Sequence, residues 1–131
     1  MNNLVVVRGG GDIATGTIYK LARCGFHILV LEIEHPSAIR RNVAYSEAVY
    51  DGHKKVEGIE CVLIHSLNEL ESVFKHNKIA MMVDPKGSSI DILKPEIVID
   101  AILAKKNMGA SRNMAPITIG LGPGFNAGKD V

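Results

Sequence analysis

Val5-Val6-Val7-Arg8-Gly9-Gly10-Gly11-Asp12-Ile13-Ala14 is the stretch on which the reading of this chain turns. The run from Leu4 to Val7 is apolar without alternation, as expected of a central strand covered on both faces. Three glycines stop it. Ile13 to Arg23 then predicts a helix, because Ile13, Ala14, Ile18, Leu21 and Ala22 recur at helical spacing, and Gly25 stands where a left-handed cap is expected. Gly9, Gly11 and Ala14 fill the small positions of Gly-x-Gly-x-x-Ala. In that pattern the first glycine makes the tight turn and the second lets the backbone approach a pyrophosphate. The third small residue lets the helix pack closely, and the phosphate sits at the positive end of the helix dipole. Ile28 to Ile33 predicts the next strand, and Glu32 near its end lies about 20 residues beyond Gly11, where an acid can hold ribose hydroxyls. The candidate cofactor-binding set thus begins with Gly9, Gly10, Gly11, Asp12, Ile13, Ala14 and Glu32. The competing reading is a tight strand-to-helix turn with Glu32 as a solvated strand end.

Outward from this unit, β-branched apolar runs alternate with helical stretches, the pattern of a parallel sheet with crossover helices. Pro36 to Arg40 reads as a short helix, and Val43 to Tyr50 has no clear period. Lys55-Val56 and Ile59 to Ile64 read as strand pieces around Gly58. Ser66 and Glu69 have capping-box spacing and open a helix to about Lys75. Ile79 to Val83 predicts a strand stopped by Asp84-Pro85. A short helix over Ser89 to Leu93 and strands at Glu96 to Ile99 and Ile117 to Leu121 follow. The expected fold is α/β, one three-layer Rossmann-like nucleotide-binding domain with a mainly parallel sheet. Leu4 to Arg8 should lie between the strand ending at Glu32 and the strand ending near Asp84. The last strand runs into a glycine-rich tail with no helix signal, so the chain reads as a piece of a longer protein.

Several further residues carry candidate chemistry. Asp12 either caps the helix and points away or reaches the ligand through a water or metal, since a bare carboxylate occupies the field a phosphate would use. Asp84 and Asp100 fall at strand C-terminal ends, the edge where open α/β sheets bind ligands. The alternatives are turn chemistry for Asp84 and a local cap for Asp100. Arg40 and Arg41 could hold a 2′-phosphate, which favours NADP, whereas Glu32 would repel it and favours NAD. Lys86, Lys105 and Lys106 can reach phosphates or stay solvated. Gly122 and the loop around it offer a second set of backbone N–H groups for an anion. The tail fails as a P-loop: Pro123 stands at the first required glycine, and Asp130 replaces the magnesium-binding hydroxyl. No metal spacing links the five histidines, and neither Cys24 nor Cys61 sits in a reactive pattern; both read as packed thiols.

Composition narrows the classes. The 131 residues are 47% hydrophobic and 22% charged, which is globular rather than disordered. Fifteen basic residues face 14 acidic ones for a net charge of +1, which speaks against nucleic-acid or membrane-surface binding by bulk charge. No run approaches the length needed to cross a bilayer, and the two cysteines do not make a disulfide scaffold. A cytoplasmic protein is expected, and a homo-oligomer is compatible with the sequence.

The motifs Arg8 to Gly16, Glu32, Pro36, Ala38 to Arg41, Ser46 to Tyr50, Asp84-Pro85, Asp100 to Asn107, Met114-Ala115-Pro116 and onward to Gly128-Lys129-Asp130 resemble the YqeB-type accessory proteins of selenium-dependent molybdenum hydroxylase systems. The resemblance spans essentially the whole chain and implies the N-terminal half of a full-length member. It is also distantly similar to the accessory proteins that insert sulfurated molybdenum cofactor into xanthine dehydrogenase, which carry a dinucleotide-binding domain. The resemblance implies a cofactor-binding accessory protein with a molybdenum hydroxylase as partner and the molybdenum cofactor involved indirectly. Gly9 to Ala14 is separately similar to the opening of NAD-dependent siroheme synthases, where an acid also follows the glycines. The expected ligand is NAD(P) or another nucleotide or dinucleotide. The competing functions are an NAD(P)-dependent oxidoreductase and a structural or interaction domain. Because no constellation of acid, base or nucleophile accompanies the glycine loop, the chain is expected not to act as an enzyme on its own.

Overall fold

The computed structural model describes residues 3–103, 107, 109–122 and 124–131. Among them, seven strands form one sheet: β1 (Leu4–Arg8), β2 (His27–Glu32), β3 (His53–Val56), β4 (Ile59–Leu63), β5 (Ile79–Val83), β6 (Ile97–Asp100) and β7 (Ile117–Gly120). The order is β3-β4-β5-β2-β1-β6-β7. Every neighbouring pair is parallel except the hairpin β3–β4. The α-helices are α1 (Asp12–Arg23), α2 (Ala48–Asp51), α3 (Leu70–Lys75) and α4 (Ser88–Leu93). The chain is therefore α/β with a mostly parallel sheet, as expected.

Alternation along β1 and β2 divides the core in two. Val5, Val7, Ile28 and Val30 pack with Ala14 and Ile18 of α1 and with Tyr45 and Ala48. Leu4, Val6, Leu29 and Leu31 pack with Leu70, Val73 and Phe74 of α3 and Ile90 of α4. Crossover handedness explains the split. The move from β1 to β2 goes one way along the sheet, while the moves β4 to β5, β5 to β6 and β6 to β7 go the other. Right-handed connections must then place α1 on one face and α3 and α4 on the opposite face.

The neighbours of β1 differ from expectation. β2 lies on one side, but β6 rather than β5 lies on the other. The strand ending at Asp84 sits beyond β2. The connection through α3 is short and carries the chain from β4 only to the adjacent position, so β5 inserts between β4 and β2. The longer move to the far side of β1 is left to the next crossover.

Local signals are otherwise read out directly. Ser66 and Glu69 form the capping box, and Gly25 follows the α1 cap with φ +91°. The predicted helix over Pro36 to Arg40 is absent: residues 33–40 are irregular, and Tyr50 donates its hydroxyl hydrogen to the Pro36 carbonyl. Residues 44–48, aperiodic in sequence, are fully buried in a 3-10 turn (Tyr45–Glu47) and the start of α2. Cys61 is in the core, but Cys24 is exposed rather than packed.

Ile18 joins α1 to the sheet with no exposed surface. Ile18→Ala should lower stability by about 2–5 kcal/mol in chemical denaturation. Ile39→Ala, at a residue 95% exposed, should stay within about 0.5 kcal/mol.

Candidate functional site

The C-terminal ends of β1, β2, β5 and the segment after β6 enclose a cleft of about 560 Å³. From β1 the chain steps to β2 on one side and returns to β6 on the other, so the cleft lies at the sheet's switch point, where neighbouring connections part and leave room for a ligand.

The three glycines do three different jobs. Gly9 has φ +97°, and an added Cβ would stand 2.8 Å from the Ala101 carbonyl oxygen. Its N–H donates to the Leu31 carbonyl at 2.8 Å. Gly10 is buried over β2 and β5, where a Cβ would come within 2.9 Å of Met81 Cε and 3.2 Å of Val30 Cγ1. Its carbonyl accepts from Ser46 N–H at 2.8 Å. Gly11 is extended (φ −66°, ψ −178°) and forms the N-cap of α1. An added Cβ there meets no atom within 4 Å, and the residue lines the cleft. Gly9 is thus required by the fold itself, Gly10 is tightly enclosed by side chains that would have to shift for a larger residue, and Gly11 leaves the helix entrance open. Ala14 is buried and brings α1 close to the sheet. The loop is held from behind by Thr15. Its hydroxyl lies 2.7 Å from the Gly11 carbonyl and accepts from Tyr45 N–H at 3.0 Å.

The helix entrance faces solvent across the cleft. The first backbone bond of α1 runs from Thr15 N–H to the Gly11 carbonyl at 2.9 Å, so the amides before Thr15 have no acceptor inside the helix. With the helix dipole they make a place for an anion. Asp12 and Ile13 line the same cleft. Asp12 is no cap; no side chain caps α1. Its carboxylate instead pairs with Arg40 at 3.6 Å. Ile13 was expected on the buried face of the helix but is 63% exposed, at the cleft rim.

Glu32 stands at the end of β2 and lines the cleft. Its carboxylate accepts from Gly10 N–H at 3.2 Å and Ile33 N–H at 3.1 Å. Burial raises its pKa, against the opposing effect of those two amides. Asp84 accepts from Ser88 N–H, Ser89 N–H and the Ser89 hydroxyl, capping the first turn of α4. Burial pushes its pKa up, but the hydrogen bonds from Ser89, Ser88 and Gly87 outweigh burial and hold the acid below its ordinary value. Asp100 is buried against Arg8 at 3.3 Å and accepts from Ile102 N–H at 3.1 Å. Burial raises its pKa in spite of both partners.

The remaining candidates lie farther out. Arg41 is turned to Glu47 at 3.0 Å, and neither it nor Arg40 lines the cleft. Gly122 has φ +109° and packs toward Leu103, outside the cleft lining. Lys86 is exposed, and Lys105 and Lys106 lie outside the described residues. The structure therefore brings together Gly9, Gly11, Asp12, Ile13, Glu32 and Asp84 around one space, with Gly10, Ala14 and Asp100 directly behind them. Among the described residues no cluster of His, Cys, Asp and Glu has metal-binding geometry.

Two features of the cleft were not anticipated. Ile13, Ile33, Ile39 and Ile102, exposed at 63%, 50%, 95% and 41%, converge on its rim. Isolated exposed isoleucines are ordinary; here four of them give one cleft an apolar rim. Arg8 is 4% exposed yet lines the cleft; its signal in the sequence is a charge ending an otherwise wholly apolar strand.

The chain is 50% identical over 129 residues to the uncharacterized protein YqeB of Escherichia coli (strain K12), an alignment that takes in 98% of this chain and 24% of that protein. The similarity supports a YqeB-like relationship. The chain spans about a quarter of the length of this curated relative, not the half implied by the sequence motifs. No family model and no solved structure matches the chain significantly. No described helix is long and apolar enough to cross a membrane.

Two measurements check this geometry. Gly9→Ala should destabilise the fold by roughly 1–3 kcal/mol, because a positive φ and a backbone clash oppose the new methyl. Gly11→Ala should stay within about 0.5 kcal/mol. Glu32 binds its proton more tightly in the folded state, so it makes the protein less stable as pH rises through its window. That window opens at the ordinary value of 4.5 and extends upward. The stability of Glu32→Gln relative to the parent should therefore increase across that window in thermal melts. A pH-independent difference would mean that the carboxyl is unshifted.

Proposed function

We propose that this chain forms a Rossmann-like unit that binds a nucleotide or dinucleotide with its phosphates at the start of α1. The carrying observation is the open space over Gly11, beside the unpaired amides of the helix entrance and at the switch point of the sheet. If β5 is counted third, the order β5-β2-β1-β6-β7 follows the dinucleotide-binding succession 3-2-1-4-5, with the β3–β4 hairpin added at one edge. Glu32 receives two amides, and its remaining lone pairs suit ribose hydroxyls. The isoleucine rim suits the faces of a base. Asp12, Glu32 and Asp84 line the cleft with Arg8 as the one cation among the described lining residues. That charge balance disfavours further phosphates and favours NAD over NADP.

At the level of the cell, the unit serves as part of an accessory protein that hands on or senses a cofactor for a molybdenum hydroxylase. This step rests on the motif resemblance to the selenium-dependent hydroxylase accessory proteins, and the molybdenum cofactor enters only through that partner. A nucleotide half-site alone does not align a hydride donor with an acceptor, and alignment supplies much of the rate of such reactions. The purified chain is therefore proposed not to turn over NAD(P)H by itself, and steady turnover on a small substrate would favour an oxidoreductase.

Gly11→Val places a branched side chain where the phosphate approaches but where the protein has room. Calorimetric titration with NAD should show binding lost, with the melting temperature within a few degrees of the parent. Unchanged affinity in that variant overturns the site, and tighter binding of NADP than NAD transfers the specificity role to Arg40 and Arg41. Normal hydroxylase activity in cells lacking the protein would remove the accessory role.

A further inference from the structure

We propose that Arg8 is a positioning residue that braces the two walls of the cleft and sets its width; for the ligand, this rests on the nucleotide-binding reading. One wall carries the turn after β5, with Asp84 and Pro85, and Gly87 behind them donates its N–H to the Asp84 carbonyl at 3.1 Å. The other is the segment after β6, from Ala101 to Leu103. β2 and β1 separate the two strands that end in these walls. The sheet spaces the two strands through β2 and β1, and the bonds from Asp84 N–H to Glu32 and from Ala101 N–H to Arg8 carry that pairing one residue further. Among the described residues no backbone bond joins the turn beyond Asp84 to the segment beyond Ala101.

Arg8 spans that distance. It ends β1 in register with Asp100 of β6. Its Nη1 donates to Asp100 Oδ2 at 3.3 Å on one side, and its Nη2 donates to the Pro85 carbonyl at 3.5 Å on the other. Gly87 and Gly109 border the guanidinium: a Cβ would lie in ordinary contact, 3.6 Å from Arg8 Nε at Gly87 and 3.9 Å from Nη1 at Gly109. Asp100 completes the link, since its other oxygen accepts from Ile102 N–H in the second wall. The chain of contacts therefore runs from Pro85 through Arg8 and Asp100 to Ile102, beneath the cleft. A planar fork can bond in two directions at once; a lysine ammonium is a point charge on a flexible stem and cannot hold both ends in the same way.

The pair is 4% and 2% exposed. A buried ion pair is weak as a source of stability, and apolar residues of similar volume often replace both partners without loss. Its value here is geometric, which separates this role from a purely structural one. Arg8→Met/Asp100→Leu should keep the melting temperature within a few degrees of the parent. In the ligand-free protein, amide hydrogen exchange should quicken at Gly87 and Ile102 and stay unchanged in β2 and α3. NAD affinity should fall at least tenfold. Arg8→Lys keeps the charge but not the span and should show the same two effects. Parent-like exchange at Gly87 and Ile102 in both variants overturns the brace. So does parent-like NAD affinity in Arg8→Lys, which would make Arg8 a plain electrostatic contact. If the double variant does not fold, the pair is structural and the brace is overturned as a positioning device. Should the parent bind no NAD, the nucleotide reading fails, while the exchange pattern of the ligand-free protein still decides the brace.

Discussion

The structure depends on a crowded turn. Between the end of β1 and the start of α1 the backbone passes the Ala101 carbonyl on one side and Met81, Val30 and Ser46 on the other. At Gly9 even a methyl group collides with backbone, and at Gly10 it would displace the end of Met81 and press on Val30. The crowding is what ties the fold together: Gly9 bonds to the end of β2 with Ala101 of the β6 exit closing over it, and Gly10 bonds to the buried 44–48 segment. Once those two residues are seated, α1 can leave only in one direction, and Gly11 is left facing open space. The candidate site is a by-product of that constraint. The helix entrance is open because the two preceding residues are fully enclosed.

Sidedness follows from the same centre. A parallel strand covered on both faces needs helices on both faces, and the chain supplies them by reversing its direction along the sheet after β3. The reversal also opens the crevice above β1. The acid at the end of β2, the α4 cap at the end of β5 and the Arg8–Asp100 pair at the ends of β1 and β6 all meet there, because strand C-termini in a parallel sheet share one edge.

Much of this was legible in the sequence. The alternation of apolar runs and helical periods located all seven strands to within a residue or two, and local chemistry located the capping box at Ser66 and the cap at Gly25. The glycine hexad placed the loop, and Glu32 was placed at the cleft by its position near the end of the second strand and its distance from Gly11. What the sequence hid was non-local. The position of β5 depends on how far a short crossover reaches, which no periodicity encodes. The buried turn at Tyr45 to Glu47 has no period because its packing partner is the back of the glycine loop, some thirty residues earlier in the chain. Residues 33–40 carry a proline that suits a first helical turn, yet they run as irregular chain along the cleft. Arg8 reads as an ordinary strand-end charge until Asp100 is placed beside it.

The account stands on one claim, that the open entrance of α1 receives the phosphates of a nucleotide while the walls on either side receive the rest. Chemical-shift mapping of the isotope-labelled protein during titration with NAD tests it most directly. The claim predicts the largest amide shifts at Gly11, Asp12, Ile13 and Ala14, with a second set at Ile33 and Ile102, and little change at the opposite edge of the sheet around His27 and Lys78. Saturating NAD that leaves residues 11–14 unmoved, or that moves the opposite edge instead, would contradict it.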